Sequence, residues 1–258
     1  LANAEHLKLL LEGPDSWNTW RNEQWKQPTS GQKPDLAGAD LAEVRLAWDP
    51  DLSEADLSGA NLKNAFLQTA SFGKANLSRA NLSGAYLRGC NFTRANLNEA
   101  NLTGADLVSS GMFGAELSGA NLRKASLNGA GLGEANLTAA DLSKASLVGV
   151  HLYRADLTGA ILAGADLRRA NLVETNLTDA DLSNCWIHGI SAWSLKLSEG
   201  TKQQNLLITA RYDEPEVRIH DIELAQVVHL ALNNNERALQ ELVETISSTV
   251  HRVRTGRL

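Results

Sequence analysis

The chain has 258 residues, 43% of them hydrophobic, so its length and composition allow a packed interior in one or two domains. A formal net charge of −6 argues against the basic surface that a general nucleic-acid binder or an anionic-membrane binder needs. No apolar run approaches the roughly 20 residues that span a bilayer, and the residues after Leu1 carry no signal-peptide pattern, so a cytoplasmic protein with a protein partner is expected.

Residues 1–34 are predicted to form a helical N-terminal cap and a linker. Leu7, Leu10 and Leu11 make an apolar stripe, Gly13-Pro14 breaks it, and Asp15 or Ser16 is placed to cap a second helix carrying Trp17, Trp20 and Trp25. The stretch from Pro28 to Pro34 is expected to loop. Such a cap would cover the raw core and unpaired edges that a repeat array exposes at its end.

From residue 35 a single pattern takes over. Leu36, Leu41 and Leu46 stand five apart, a six-residue step follows to Leu52, and Trp48-Asp49-Pro50 is predicted to be a bulged corner. From Leu52 to Ile187 there are 28 uninterrupted five-residue repeats, and 24 of the central residues are Leu. The residue two before the centre is Ala in 22 of the 28, so both positions must face a crowded interior. A period of five fits neither a helix nor a strand, and the chain must bend at each repeat.

The exceptions give the number of repeats per turn. Phe72, Phe92 and Met112 are spaced by 20 residues, as are Cys90 and Ser110, and Phe66 and Tyr86. Oversized and undersized residues recurring every 20 positions compensate one another's volume only if successive coils stack them. Four repeats then make one coil with four sides.

Ala55-Asp56-Leu57-Ser58-Gly59 and Ala60-Asn61-Leu62-Lys63-Asn64 show the motif, which resembles the A(D/N)LXX repeat of the pentapeptide-repeat family, in particular its bacterial, cyanobacterial-type members. The resemblance covers residues 50–190. It implies an all-β solenoid, a right-handed quadrilateral β-helix of about seven to eight coils, over residues 35–190. Asp or Asn precedes the centre in 17 of the 28 repeats, where it can hydrogen-bond nearby backbone at a corner. Seven coils spaced about 4.8 Å apart make a rod roughly 34 Å long.

Residues 191–258 are predicted to form a small α/β C-terminal cap. Residues 205–209 and 216–219 are expected as short strands, 221–232 as a helix, and 236–253 as another with Leu239, Val243, Ile246 and Val250 on one face. That last helix is a candidate for homodimer contacts. Asp221 to Gln226 and Leu230 to Asn234 resemble connectors that precede a TIR-like signalling domain in multidomain bacterial pentapeptide proteins; no such effector is expected by Leu258.

No catalytic, cofactor or metal site is expected, because an interior of Leu and Ala leaves no cleft for convergent acids, bases or ligands. His6, His151, His188, His220, His229 and His251 lack metal-ligand spacing. Cys90 and Cys185 fall in different columns roughly 23 Å apart along the rod, too far for a disulfide. The six Asn-X-Ser/Thr sequons, such as those at Asn76 and Asn136, arise from the repeat register and are not read as glycan sites.

Two exterior surfaces are candidates for recognition. One spans adjoining sides and carries Phe66, Tyr86, Arg88, Phe113, Tyr153, Arg168 and Trp186, a mixture of aromatics and Arg enriched where proteins meet. The other is an acidic side with Asp56, Glu99, Glu116, Asp156 and Asp179 against Arg79. Three readings follow: a non-enzymatic protein-protein interaction scaffold; a DNA-mimicking protein that binds DNA gyrase or a related topoisomerase, as the resemblance implies for some family members; or a targeting or sensor module of a signalling protein. B-DNA would carry roughly 20 charges over the rod's length, whereas residues 51–190 hold 13 acidic and 11 basic side chains, which favours the first reading.

Overall fold

Residues 2–26, 32–46, 49–209 and 217–232 are described by a computed structural model of the chain. Its elements in chain order are helices α1 (Ala4–Glu12) and α2 (Pro14–Trp25), a long array of isolated parallel bridges, strands β1 (Leu206–Leu207) and β2 (Arg218–Ile219), and helix α3 (Ile222–Leu232). The expected helix over 236–253, and with it Leu239, Val243, Ile246 and Val250, lies outside the described residues, as do Pro28 and Trp48.

Every repeat folds in the same way. The residue before the centre bridges in parallel to the residue 20 further on, as in Asp56↔Asn76, Asn76↔Asn96 and Asn96↔Glu116. In that ladder the Leu57 N–H donates to the Asn76 carbonyl at 2.7 Å, and the Asn76 N–H donates to the Ala55 carbonyl at 2.8 Å. A turn closes each repeat, with the Ala60 N–H donating to the Leu57 carbonyl at 3.0 Å. The second residue after the centre takes a left-handed conformation, φ +66° at Gly84 and +64° at Thr69. That conformation strains a β-branched residue such as Thr69 and suits glycine. A circuit of four repeats is therefore fixed by backbone hydrogen bonding, as the volume pattern predicts.

The core is mostly apolar and continuous. None of the 28 central side chains from Leu52 to Ile187 is more than 2% exposed. Phe72 and Phe92 stack with ring centroids 4.8 Å apart and planes 3° from parallel, which is the coil-to-coil contact implied by their 20-residue spacing. Each buried Leu is worth roughly 1.5–3 kcal/mol relative to an exposed one, so the filled interior adds to the backbone ladder in holding the array.

Both ends depart from 20-residue spacing by one residue. Asp35↔Asp56, Asp40↔Asn61 and Arg45↔Phe66 are 21 apart because of the extra residue between Leu46 and Leu52. Asp49 takes φ +56° at that corner. The ladder also runs past Ile190, the last residue in the repeat register, through Asn171↔Ser191 and Asn176↔Lys196 to Trp186↔Leu207. Bridging needs extended backbone rather than Leu, so it outlasts the sequence motif.

The terminal elements lie against these ends. Trp17 is fully buried and its indole N–H donates to the Asp51 carbonyl at 3.0 Å. The Arg21 guanidinium reaches the Ser53 carbonyl at 3.0 Å and the Asp51 carboxylate at 3.3 Å. His6 is buried beside Trp20, and its Nδ1 accepts the Asp35 N–H at 2.9 Å. Gly13, not Asp15 or Ser16, occupies the cap position of α2, and no side chain caps that helix. Pro14 at the first helical position explains the difference: it lacks an N–H and its φ is already helical. Asn3 caps α1 by accepting from the Glu5 and His6 N–H groups. At the other end β1 pairs antiparallel with β2, the Gln203 side chain accepts the Ile222 N–H at 2.8 Å, and Ile222, Ala225 and Val227 of α3 are buried.

Candidate protein-binding faces

Each side of the rod presents three columns: the bridging residue and the two after the centre. The seven residues of the aromatic candidate surface resolve into three groups. Phe66 and Tyr86 stack at 4.5 Å with planes 10° apart, and the Arg45 guanidinium lies over Phe66 at 4.1 Å, continuing the stack one coil back. A shallow hollow of about 400 Å³ bounded by Glu43, Arg45, Asn64, Phe66 and Tyr86 opens beside it. Arg88, in the neighbouring column, is held by Asp106 at 2.7 Å. The second group, further along the same side, is Arg168, bound to Asp166 at 2.6 Å, with its guanidinium 5.0 Å from the Trp186 ring. The third is Phe113 and Tyr153 on the adjoining side. They share one column, with Gly133 between them and Arg154 over the Tyr153 ring at 4.7 Å.

One residue of this last column was not legible from the repeat register. Trp193, 43% exposed, follows Tyr153 by 40 residues in the position that Phe113 and Tyr153 hold. Its carbonyl accepts the Glu174 N–H at 2.8 Å, so the ladder still holds it in register beyond Ile190. The 40-residue spacing of Phe113, Tyr153 and Trp193 was the available signal. Tyr86 and Phe113 are similarly exposed, at 42% and 44%.

The sequence profile of the pentapeptide repeats matches residues 51–85, 75–110, 115–152 and 151–185, in eight copies. The chain belongs to the pentapeptide-repeat family. No curated protein matches it. Among solved structures it is similar to HetL, a pentapeptide repeat protein involved in heterocyst differentiation regulation from the cyanobacterium Nostoc sp. strain PCC 7120. That similarity is 29% identity over 72% of this chain and 96% of HetL, with a TM-score of 0.44. Trypsin-treated QnrB1, a plasmid-mediated fluoroquinolone resistance protein, is 24% identical over 57% of this chain and 80% of its own, with a TM-score of 0.46. A pentapeptide repeat protein from the Arabidopsis thaliana thylakoid lumen is 33% identical over 39% of this chain and 66% of its own, with a TM-score of 0.30.

In this pentapeptide-repeat protein the acidic candidate residues do fall on one side, but they are engaged. Asp56 accepts the Asn76 amide at 3.1 Å, Glu116 that of Asn136 at 2.8 Å, and Asp156 that of Asn176 at 3.1 Å. Asp179 accepts the Ser198 hydroxyl at 2.7 Å. Glu99 pairs with Arg79 at 2.8 Å, a hydrogen bond that holds the carboxyl below and the guanidinium above their ordinary ranges. The carboxylates are rungs interrupted by neutral Asn, a poor copy of two closely spaced phosphate rows.

Cys90 and Cys185 are free and buried, and each Sγ donates to the carbonyl 23 residues earlier, that of Leu67 at 2.9 Å and of Leu162 at 3.1 Å. Burial pushes both thiols up to about 12, so neither is a nucleophile at neutral pH. Thr175 makes the same bond to Leu152 at 2.8 Å, whereas the Ser110 hydroxyl, buried in that core position, finds no partner among the described residues. Among the described residues no three His, Cys, Asp or Glu side chains gather as a metal site, and no helix is long and apolar enough to cross a membrane.

Proposed function

We propose that the protein is a non-enzymatic interaction scaffold of the cytoplasm, presenting the aromatic sides of its β-helix to a protein partner. The reading divides the chain into an N-terminal cap and linker (1–34), a right-handed rod of about seven to eight coils (35–190) and a C-terminal cap (191–258). The observation that carries it is the contrast between inside and outside. The axis is filled by side chains with almost no exposure, while Tyr86, Phe113 and Trp193 stand more than 40% exposed on a surface held by backbone ladders. Exposed aromatics next to Arg are enriched at binding hot spots, and a preformed surface loses little conformational freedom on binding.

Affinity capture of a partner by the full chain, repeated with Tyr86→Ala and Tyr153→Ala combined, tests the proposal. A specific partner lost from the double variant, with thermal stability unchanged, is the expected result. Capture of the same partners by both proteins refutes the assigned surface.

A further inference from the structure

A shallow hollow of about 380 Å³ opens on the side that carries Phe113, toward the N-terminal end of the rod. Gly73 stands in it between Ser53 and Thr93 of the same column, so a side chain is missing from its middle. A carbon added at Gly73 would meet the Ser53 hydroxyl oxygen at 3.6 Å and the Asn91 amide nitrogen at 3.8 Å, both ordinary contacts. It would also come within 4.0 Å of the Thr93 carbonyl, which already accepts the Lys74 N–H at 2.9 Å. The gap is thus edged by hydrogen-bond donors.

The Asn91 donor is free for a structural reason. On other sides the amide nitrogen of such an Asn donates to the rung one coil back, as Asn96 does to Asn76 at 3.2 Å and Asn101 to Asn81 at 3.3 Å. Asn91 has Ser71 in that place, and the Ser71 hydroxyl is bonded to that of Ser53 at 2.8 Å. The Asn91 oxygen accepts the Thr93 N–H at 3.0 Å, which fixes the end of the amide left over. Among the described residues that nitrogen has no acceptor. Lys74 and Arg94, in the next column, stand one coil apart, about 4.8 Å. Among the described residues neither makes an ion pair or a side-chain hydrogen bond. The nearby carboxylates are already matched, Glu54 by Lys33 at 3.2 Å and Asp51 by Arg21 at 3.3 Å. Four cations against two carboxylates leave a charge of +2 around the hollow.

We infer that this hollow binds a phosphate monoester. Such a group carries a charge of about −1.5 to −2 at neutral pH and presents three acceptor oxygens. It therefore balances both unmatched cations and gives an acceptor to each of the Lys74 ammonium, the Arg94 guanidinium and the Asn91 amide. A carboxylate brings one charge and two oxygens, and leaves a cation unmatched. An uncharged ligand leaves both cations unmatched. The planar Arg fork and the Lys point charge are complementary ways of holding phosphate oxygens, and Gly73 leaves room for the group between them. A phosphorylated side chain of a partner protein and a small phosphorylated molecule present the same group to the hollow.

The full chain is titrated calorimetrically with a capped, otherwise neutral peptide containing one phosphoserine, with the same peptide unphosphorylated, and with glycerol phosphate. Saturable binding of a phosphorylated ligand is expected with Kd below about 1 mM, and none of the unphosphorylated peptide. Tighter binding of the phosphopeptide assigns the ester to a partner's side chain, and equal or tighter binding of glycerol phosphate assigns it to a small molecule. Lys74→Ala and Arg94→Ala should each weaken binding roughly tenfold or more. Gly73→Asp, whose first carbon fits without a clash, puts a carboxylate among the donors and should abolish it. Lys124→Ala with Lys144→Ala removes a cation pair one coil apart on another side and should leave the affinity unchanged, which separates the hollow from general surface charge. Circular dichroism identifies any variant that has lost its fold. The inference is overturned if neither phosphorylated ligand binds at about 10 mM, or if the unphosphorylated peptide binds equally. It is also overturned if the Lys124 and Lys144 variant loses as much affinity as those at Lys74 and Arg94. Partner capture that depends on Tyr86 and Tyr153 is read independently of all these outcomes, so the scaffold role and the phosphate site fail separately.

Discussion

Phe92 is where the coil register can be read as an energy. Its ring is fully buried and lies 4.8 Å from that of Phe72 in the preceding coil, in a position that is Leu in most repeats. Phe92→Ala removes the ring from a core that cannot close around the gap, at a cost of about 3–5 kcal/mol. Phe92→Leu restores the residue preferred by the repeat and should cost less than about 1.5 kcal/mol. Combined with Phe72→Leu, it should show a coupling of about 0.5–1.5 kcal/mol, the part of the stacked pair that neither ring makes alone. Urea unfolding followed by circular dichroism gives the differences. Hydrogen exchange at the Phe92 N–H, which bonds the Gly111 carbonyl at 2.6 Å, guards against an array that unfolds piecemeal. A cost for Phe92→Ala below about 1 kcal/mol, or independent effects of the two Leu substitutions, would refute the sealed, stacked core.

Three further outcomes are expected. Ser110→Ala should stabilise the protein by about 1 kcal/mol because it removes a buried hydroxyl without a partner, whereas Thr175→Val, which breaks the bond to Leu152, should cost about as much; urea midpoints of opposite sign are the check. The Cys90 and Cys185 thiols are raised by burial from 9.0 to about 12, so the unfolded chain loses these protons first and stability should fall as pH rises from about 9 to about 12. Cys90→Ala with Cys185→Ala should flatten that decline, and unfolding curves of the two proteins across this range measure it. Burial alone would raise the Asp51 carboxyl, but hydrogen bonds from Ser53 and the charge and hydrogen bond of Arg21 outweigh it and hold it below its ordinary range. Its contribution is therefore complete above the usual carboxylate range and lost as pH falls through the lowered value. Arg21→Ala should loosen the N-terminal helices and weaken their acid sensitivity, seen as a smaller change in tryptophan fluorescence on acidification.

The circuit of the rod was legible because residues of unusual size recur in stacked coils: Phe72 with Phe92 in the core, and Phe66 with Tyr86 on the exterior, announce their neighbours by spacing alone. The break at Gly13-Pro14 and the presence of two short strands before α3 were legible from turn and strand chemistry, whereas their antiparallel pairing came from the structure. Less visible was anything carried by backbone after the motif fades. Trp193 joins the Phe113 and Tyr153 column through ladder bonds that no Leu marks, and Gly13 caps α2 because of Pro14 instead of offering a polar side chain. The state of the acidic side was hidden as well, since the sequence counts Asp56, Glu116 and Asp156 as charges while the structure gives each an Asn amide from the next coil.

The register that makes one exterior aromatic column out of distant residues can be measured directly with paired nitroxide labels, because Cys90 and Cys185 are buried and stay unlabelled. Labels introduced by Phe113→Cys and Tyr153→Cys should show dipolar broadening consistent with about 10 Å, two coil spacings, despite 40 residues of separation. Labels introduced by Phe113→Cys and Arg123→Cys, only ten residues apart but on opposite sides, should show much weaker coupling. The reverse order, with the sequence-near pair close and the sequence-distant pair apart, would contradict the account.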